Sequence, residues 1–331
     1  MRPSAAGVAA GAGWGELASR YGPVMMAMPG VDVRVRRERL RHGPLDLVAT
    51  TFPLRQGRDD PTIRVAAGEV WRALRTPAGP ATLHLRLDGD ELAATAIGPG
   101  AGAALDLAPR LAGLDDNPEV LHIRHPALAE ARRRTPGLRL TAGTSVFDAL
   151  VWVVMAQKVV GADARRAYRD LVRRISDAAP GGGGLLLPPD PRSLAGTPSW
   201  TFHECNLERR RATTIVNVAR RARALDGLAG LSAAEARARL QSLPGVGPWT
   251  AAEVTSVSHG DPDAVPTGDF HLPNVVAYAL AGEPRADDER MLELLEPYAG
   301  QRGRVIRLLM SGGRGAPRYG PRLSRQDIRG R

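Results

Sequence analysis

The sequence predicts an α+β fold in two parts: an antiparallel β-sheet with helices over residues 31–125, then an all-helical region over 126–312. Three observations lead there. In the first part apolar and polar residues alternate, as in VDVRVRR (31–37) and ATLHLRL (81–87), the period of a strand with one buried face. After His125 the apolar residues are spaced for helices, most clearly in SVFDALVWVVMAQKVVGADARRAYRDLVRRI (145–175). Within that second part LPGVGPWTAAEV (243–254) sets a very tight turn between two helical stretches.

Taken in order, residues 1–30 carry small side chains and lack the dense Leu/Ile/Val core of a signal peptide, so a flexible tail is expected. VWRALR (70–75) predicts a helix. ATLHLRL leads through Asp88-Gly89 into ELAATAI, the pattern of a hairpin; Leu83, Leu85 and Leu87 would face a core, and His84 and Arg86 a wet face. The stretch 145–175 predicts two helices with a break between Gln157 and Gly161. PGGGGLLLPPD (180–190) predicts a loop, and NLERRRATTIVNVARRARAL (206–225) one helix. Ser232, three residues before Glu235, has the spacing of a capping box. Residues 313–331 form a basic segment expected to be disordered.

Composition narrows the functional classes. With 331 residues, 43% hydrophobic and 24% charged, the chain can bury a sizeable core, and two domains are expected. The formal charge is +10, and of 45 Lys+Arg residues Lys158 is the only lysine. Arginine's planar fork suits phosphate, which favours a nucleic-acid partner over a bland basic surface, although a chain rich in alanine and glycine owes part of this skew to composition. The single cysteine, Cys205, allows neither an internal disulfide nor a four-cysteine zinc or iron–sulfur site. No apolar run approaches eighteen residues, so no membrane span is expected. A cytoplasmic protein is the natural expectation.

The tight turn carries the functional signal. A helix over 233–242 must stop at Pro244, Gly245 and Gly247 permit positive φ, and Pro248 suits the first turn of the next helix. Amides of residues 245–247, together with a helix N-terminus, would converge on one phosphate oxygen and hold a DNA backbone without reading its sequence. Alone, such a turn serves equally well as a plain connection between two helices. The continuation QSLPGVGPWTAAEVTSVSHGDPDAVPTGDFHLPN adds a second helix and a loop ending in Asp269. This stretch resembles the helix-hairpin-helix DNA glycosylases, and within them the alkylation-repair branch, DNA-3-methyladenine glycosylase II. The likeness covers about 145–310, is weaker over 31–125 and is absent from both tails.

The resemblance implies a monofunctional DNA glycosylase of base excision repair, working as a monomer on double-stranded DNA that contains damaged bases. It would flip out an alkylated purine such as 3-methyladenine, hydrolyse the N-glycosidic bond and leave an abasic site. Asp269 takes the catalytic position; its carboxylate would stabilise the positive charge that builds on the sugar and orient water. The same residue could cap the helix HLPNVVAYAL, with His271 beside it in a packing or capping role. Pro244, Gly245, Val246, Gly247 and Thr250 map to the DNA grip. Trp249, Gln157, Glu253, Phe270 and Met310 map to the base pocket, and Lys158 or Val159 to the wedge that fills the vacated stack. Relatives that also cut the strand carry a lysine where Trp249 stands. Lysine at 158 and methionine at 310 depart from the branch, which favours an apolar wedge and a tryptophan in the last helix. The family's hairpin also holds a Na⁺ or K⁺ ion on backbone carbonyls, which map to Gln241, Leu243 and Val246; no other cofactor is implied. Two other readings stay open: a helix-hairpin-helix protein that binds DNA without cutting it, and a glycosylase for another damaged base such as hypoxanthine.

Overall fold

Alternation builds the first part. Five strands, β1 (Val33–Arg39), β2 (Ile63–Ala66), β3 (Glu69–Thr76), β4 (Gly79–Asp88) and β5 (Glu91–Ile97), form one sheet in the order β1-β5-β4-β3-β2. All neighbours are antiparallel. The structure, a computed structural model, describes residues 32–313, 315, 317 and 327–329. The tail expected over 1–30 lies outside the described residues, as does most of 313–331. Where the second tail is described, the amide of Ile328 donates to Asn206 Oδ1 (2.9 Å), so this piece is fastened to the helical part.

The expected hairpin at Asp88-Gly89 is present, with Asp88 opposite Glu91. The helix expected over 70–75 is instead the middle of β3. Two-residue turns bracket that strand, Ala67-Gly68 on one side and Pro77-Ala78 on the other; Ala67 (φ 50°) and Gly68 (φ 79°) supply the left-handed pair that a tight hairpin needs. No room remains for a helix. The expected wet face is also covered. His84 is 4% exposed and stacks on Trp71 at 4.5 Å, with its Nε2 2.8 Å from Glu69 Oε2. The loop at 177–188 packs over this face, burying Ala179, Leu185 and Leu187 against Ala73. Thr82 Oγ1 donates to the Pro180 carbonyl (2.6 Å).

Fourteen helices follow or interrupt the sheet among the described residues: α1 (Leu47–Thr51), α2 (Ala101–Leu111), α3 (Pro126–Arg134), α4 (Val146–Ala156), α5 (Gly161–Ile175), α6 (Pro191–Gly196), α7 (Ser199–Glu204), α8 (Arg209–Ala219), α9 (Ala222–Asp226), α10 (Ala233–Gln241), α11 (Pro248–Ser258), α12 (Leu272–Ala281), α13 (Asp288–Leu295) and α14 (Arg302–Gly312). The break expected after Gln157 separates α4 from α5. The single helix expected over 206–225 is two, divided at Arg220-Arg221. None of these helices is long and apolar enough to cross a membrane.

Three cores organise them. The inner face of the sheet packs on α1 and α2 through Leu83, Leu85, Leu92, Leu105 and Leu111. A second core gathers α4 to α11 around Leu150, Leu171, Phe202, Ile215 and Val254. A third joins α3, α12, α13 and α14 through Leu128, Val276, Met291 and Leu309. Val257 on α11 packs against both the first and the second. Buried Arg139 donates to the carbonyls of Gly43 (2.6 Å), Pro44 and Gly113, stitching loops of the sheet part to the chain that enters α4.

Candidate active site and nucleic-acid interface

The hairpin forms as its sequence dictates. Ser232 Oγ accepts from the Glu235 amide while Glu235 returns a bond to the Ser232 amide, so the capping box that starts α10 is complete. After Gln241 the chain reverses within six residues. Gly245 has φ +85°, and a Cβ there would lie 2.9 Å from Thr214 Oγ1 on α8, so both backbone and space require glycine. Gly247 differs. Its φ is −98°, within reach of any residue, and a Cβ would meet open space; its missing side chain leaves room for something to approach the head of α11.

Two expected DNA contacts are redirected. Val246 is 5% exposed in the second core and its amide donates to the Leu243 carbonyl (3.1 Å), so it holds the turn together instead of facing outward. Thr250 is 2% exposed, and its Oγ1 accepts from Gln157 Nε2 (2.9 Å). Of the residues expected to grip DNA, Pro244, Gly245 and Gly247 stay exposed, beside the first turn of α11, where amides lack helical acceptors. Gln157 itself, expected in the base pocket, is a brace: its Nε2 donates to Thr250 Oγ1 and also to the Gly245 carbonyl (2.9 Å). That brace seats the α4–α5 loop against the hairpin. At the loop tip Lys158 is exposed with φ 54°, and Val159 beside it is half-buried.

Sequence reasoning missed the arginines of α8. In the run 209–211 each residue has its own task. Arg211 is buried and donates to the Met155 carbonyl at the end of α4 (2.7 Å), where orphan carbonyls need a donor. Arg209 and Arg210 point outward and, with Thr213, Asn217, Pro244 and Gly245, line a groove of about 520 Å³ beside the turn. The signal was present as an RRR run, but only the fold tells which arginine faces in.

Asp269 sits at the end of a clamped loop. Asp261 pairs with Arg237 of α10 and accepts from Thr255 Oγ1 (3.2 Å). Asp263 pairs with Arg302 at the start of α14. The Gly268 amide donates to Asp288 Oδ2 (2.7 Å). The Asp269 carboxylate then receives three N–H donors. Oδ1 accepts from the amides of His271 (2.8 Å) and Leu272 (2.9 Å), which open α12, and Oδ2 accepts from Trp249 Nε1 (3.1 Å). The expected capping role is therefore real, exercised from two residues outside the N-cap position, which His271 occupies without a side-chain bond. His271 is exposed and meets Phe270 edge-on at 4.9 Å.

Glu253, one turn past Trp249, is half-buried; burial and the neighbouring Asp269 carboxylate push its carboxyl up to about 7. Phe270 projects beside Asp269 with 75% exposure. Met310 lies 59% exposed on α14, open to solvent rather than enclosed in a pocket. The structure thus unites Asp269, Trp249 and Glu253 in one cluster and Gln157, Thr250 and Gly245 in another, on the two sides of the first turn of α11. No group of three or more His, Cys, Asp or Glu side chains among the described residues could hold a metal ion.

Solved structures with this architecture include a 3-methyladenine DNA-glycosylase from Archaeoglobus fulgidus, 20% identical with a TM-score of 0.70 over 83% of this chain and 97% of that one. The chain shares its fold. MBOgg1, solved with a low-affinity DNA ligand, is 19% identical with a TM-score of 0.67 over 86% and 98% of the two chains. An 8-oxoguanine glycosylase/lyase from Clostridium acetobutylicum, solved on double-stranded DNA with cytosine opposite 8-oxoguanine, is 14% identical with a TM-score of 0.64 over 84% and 96%. No protein-family model matches the sequence, and no curated protein matches it.

Proposed function

We propose that this protein is a monofunctional DNA glycosylase that removes alkylated purines from double-stranded DNA and leaves an abasic site. The observation that carries the reading is the 3.1 Å bond from Trp249 Nε1 to Asp269 Oδ2, which joins the head of the hairpin's second helix to a carboxylate held by two further amides. Exposed Gly245 and Gly247, with Arg209 and Arg210 alongside, hold the DNA backbone. Lys158 and Val159 fill the gap left by the flipped nucleotide. The indole face of Trp249 stacks on an electron-poor alkylated purine, a cation–π contact worth roughly 0.5–2 kcal/mol. As the base departs, Asp269 stabilises the positive charge on the sugar and orients the attacking water.

Tryptophan at 249 also argues for hydrolysis alone. Lys158, the only lysine, lies at the tip of the loop that Gln157 braces against the hairpin, so a Schiff base would have to come from there or from the N-terminal amine and not from position 249. The carbonyls of Gln241, Leu243 and Val246 suit an alkali cation by their chemistry: they end α10 and the turn, and Leu243 spends only one lone pair, on the Val246 amide. A Na⁺ or K⁺ ion there would stiffen the grip and take no part in bond cleavage.

Incubating the protein with alkylated duplex DNA tests the reading. Released 3-methyladenine and strand breaks that appear only after hot alkali are expected. Release by Asp269→Asn at the wild-type rate sinks the mechanism, and strand breaks without alkali sink the monofunctional assignment.

A further inference from the structure

Trp200, on α7, is an indole 61% exposed that has no part in the proposed hydrolysis. A lone exposed tryptophan needs no explanation; this one stands in a built setting. It borders a second groove, of about 540 Å³, along α8. Arg209, Thr213 and Asn217, four residues apart, line both this groove and the one beside the turn, so they form a ridge on α8 with one groove on each flank. The floor of the second groove is apolar, with Phe202 and Leu207 each 1% exposed. Its rim is basic. Arg209 and Arg220 stand exposed at the two ends of α8, about 16 Å apart along the axis at 1.5 Å per residue. Among the described residues no carboxylate lines this groove, and neither arginine forms an ion pair. The nearest acids in sequence are spent elsewhere, Glu204 on Arg174 and Glu208 on Arg211.

The position of the groove narrows what could enter it. Gln157, which opens the loop of Lys158, bonds to the Gly245 carbonyl, Gly245 lies against Thr214 of α8, and Trp200 stands beyond the ridge. A strand held at the turn therefore reaches Trp200 on the side away from the wedge loop. Within a duplex the flat faces of the bases are covered by their neighbours, so an indole can stack on a base only where pairing has ended. We infer that the groove between α7 and α8 is a second nucleic-acid site, which takes single-stranded DNA flanking the held duplex and stacks one of its bases on Trp200; the inference rests on the DNA-binding part of the glycosylase reading. Arg209 and Arg220 neutralise the phosphates of that flank. The protein is then drawn to damage near an end, a gap or a fork, where one strand has lost its partner.

The test is fluorescence anisotropy with the full-length protein and duplexes that carry an abasic-site analogue, either blunt or extended by about six unpaired thymidines on one strand, in both polarities. Wild type should bind one of the tailed duplexes about tenfold more tightly than the blunt one. Trp200→Ala should remove that gain, together with the extra quenching of tryptophan emission that the tail causes, and leave blunt-duplex affinity within about twofold. Arg220→Gln should weaken binding of the tailed duplex alone and lower its salt slope by about one. Equal affinity for blunt and tailed duplexes, the result expected if Trp200 instead docks a protein, overturns the inference and leaves the glycosylase reading standing. A tail preference that survives Trp200→Ala does the same. Failure to bind any of the duplexes overturns both. Should Trp200→Ala not fold, the wild-type comparison decides alone, since the absence of a tail preference is sufficient to overturn the inference.

Discussion

Among the described residues two carboxyls, Asp148 and Glu253, are pushed up to about 7, and they differ in what faces them. Asp148, on α4 where the sheet part meets the helices, faces Arg72 and Arg75 as well as Asp226. Arg72 reaches across from β3, is 8% exposed and donates to Thr144 Oγ1 (3.3 Å). Glu253, beside the proposed reaction centre, faces only Asp269. The first is a buried charge supplied with cations, the arrangement that holds two surfaces together. The second has no cation acting on it, so burial and a like charge alone set its protonation. The same raised value therefore arises in two different settings, and the surrounding charges tell them apart.

The comparison breaks most sharply at Asp269. Asp269→Asn retains the acceptor for the α12 amides and should leave the melting temperature within a few degrees, while base release falls about 10³-fold or more; a quantified release assay beside a melting curve checks both. Next comes Arg72→Met, which takes from Asp148 the stronger of its two cations and from Asp60 the cation acting on it, and should cost about 3–5 kcal/mol in urea unfolding at pH 8. That cost should shrink at pH 5, where Asp148 is protonated, and the activity per folded molecule should hold. Gln157→Ala removes both donors to the hairpin and should weaken binding to abasic-site duplex by about 1–2 kcal/mol in a titration, with little change in melting temperature.

The smallest effect concerns stability at the site itself. Because burial raises the Glu253 pKa above that of an unfolded glutamate, folding keeps a proton that the unfolded chain has lost, and stability declines as pH rises from the ordinary carboxylate range through about 7. Glu253→Gln should therefore gain on wild type between pH 5 and pH 8 by about 1 kcal/mol, allowing for partial solvent screening. A constant difference between the two proteins across that range would remove the contrast with Asp148.

The legible and the hidden parts of this molecule separate by range. Local chemistry was readable: the capping box at Ser232, the hairpin at Asp88-Gly89, the break after Gln157, and Asp269 placed to cap a helix. What escaped depended on distant chain. VWRALR has no helical fate between two tight turns, and His84 is dry because the loop at 177–188 covers it. The pattern at 209–211 could not show that Arg211 faces the end of α4 while its two neighbours face the groove. Gln157 and Thr250 lie 93 residues apart, so their bond left no local trace; the resemblance placed both near the DNA without revealing that they are spent on one another.

That bond has a consequence for how the protein would travel on DNA. Gln157 opens the loop tipped by Lys158, and the carbonyl and hydroxyl it holds belong to the turn at 245 and the helix behind it. On the proposed reading, one side-chain amide fixes the spacing between the place where a strand is held and the place where a side chain enters the stack. On the proposed reading the protein works as a gauge of set length: it tests whichever nucleotide stands at a constant offset from the held phosphate, whatever its neighbours, and inspects a duplex one position at a time.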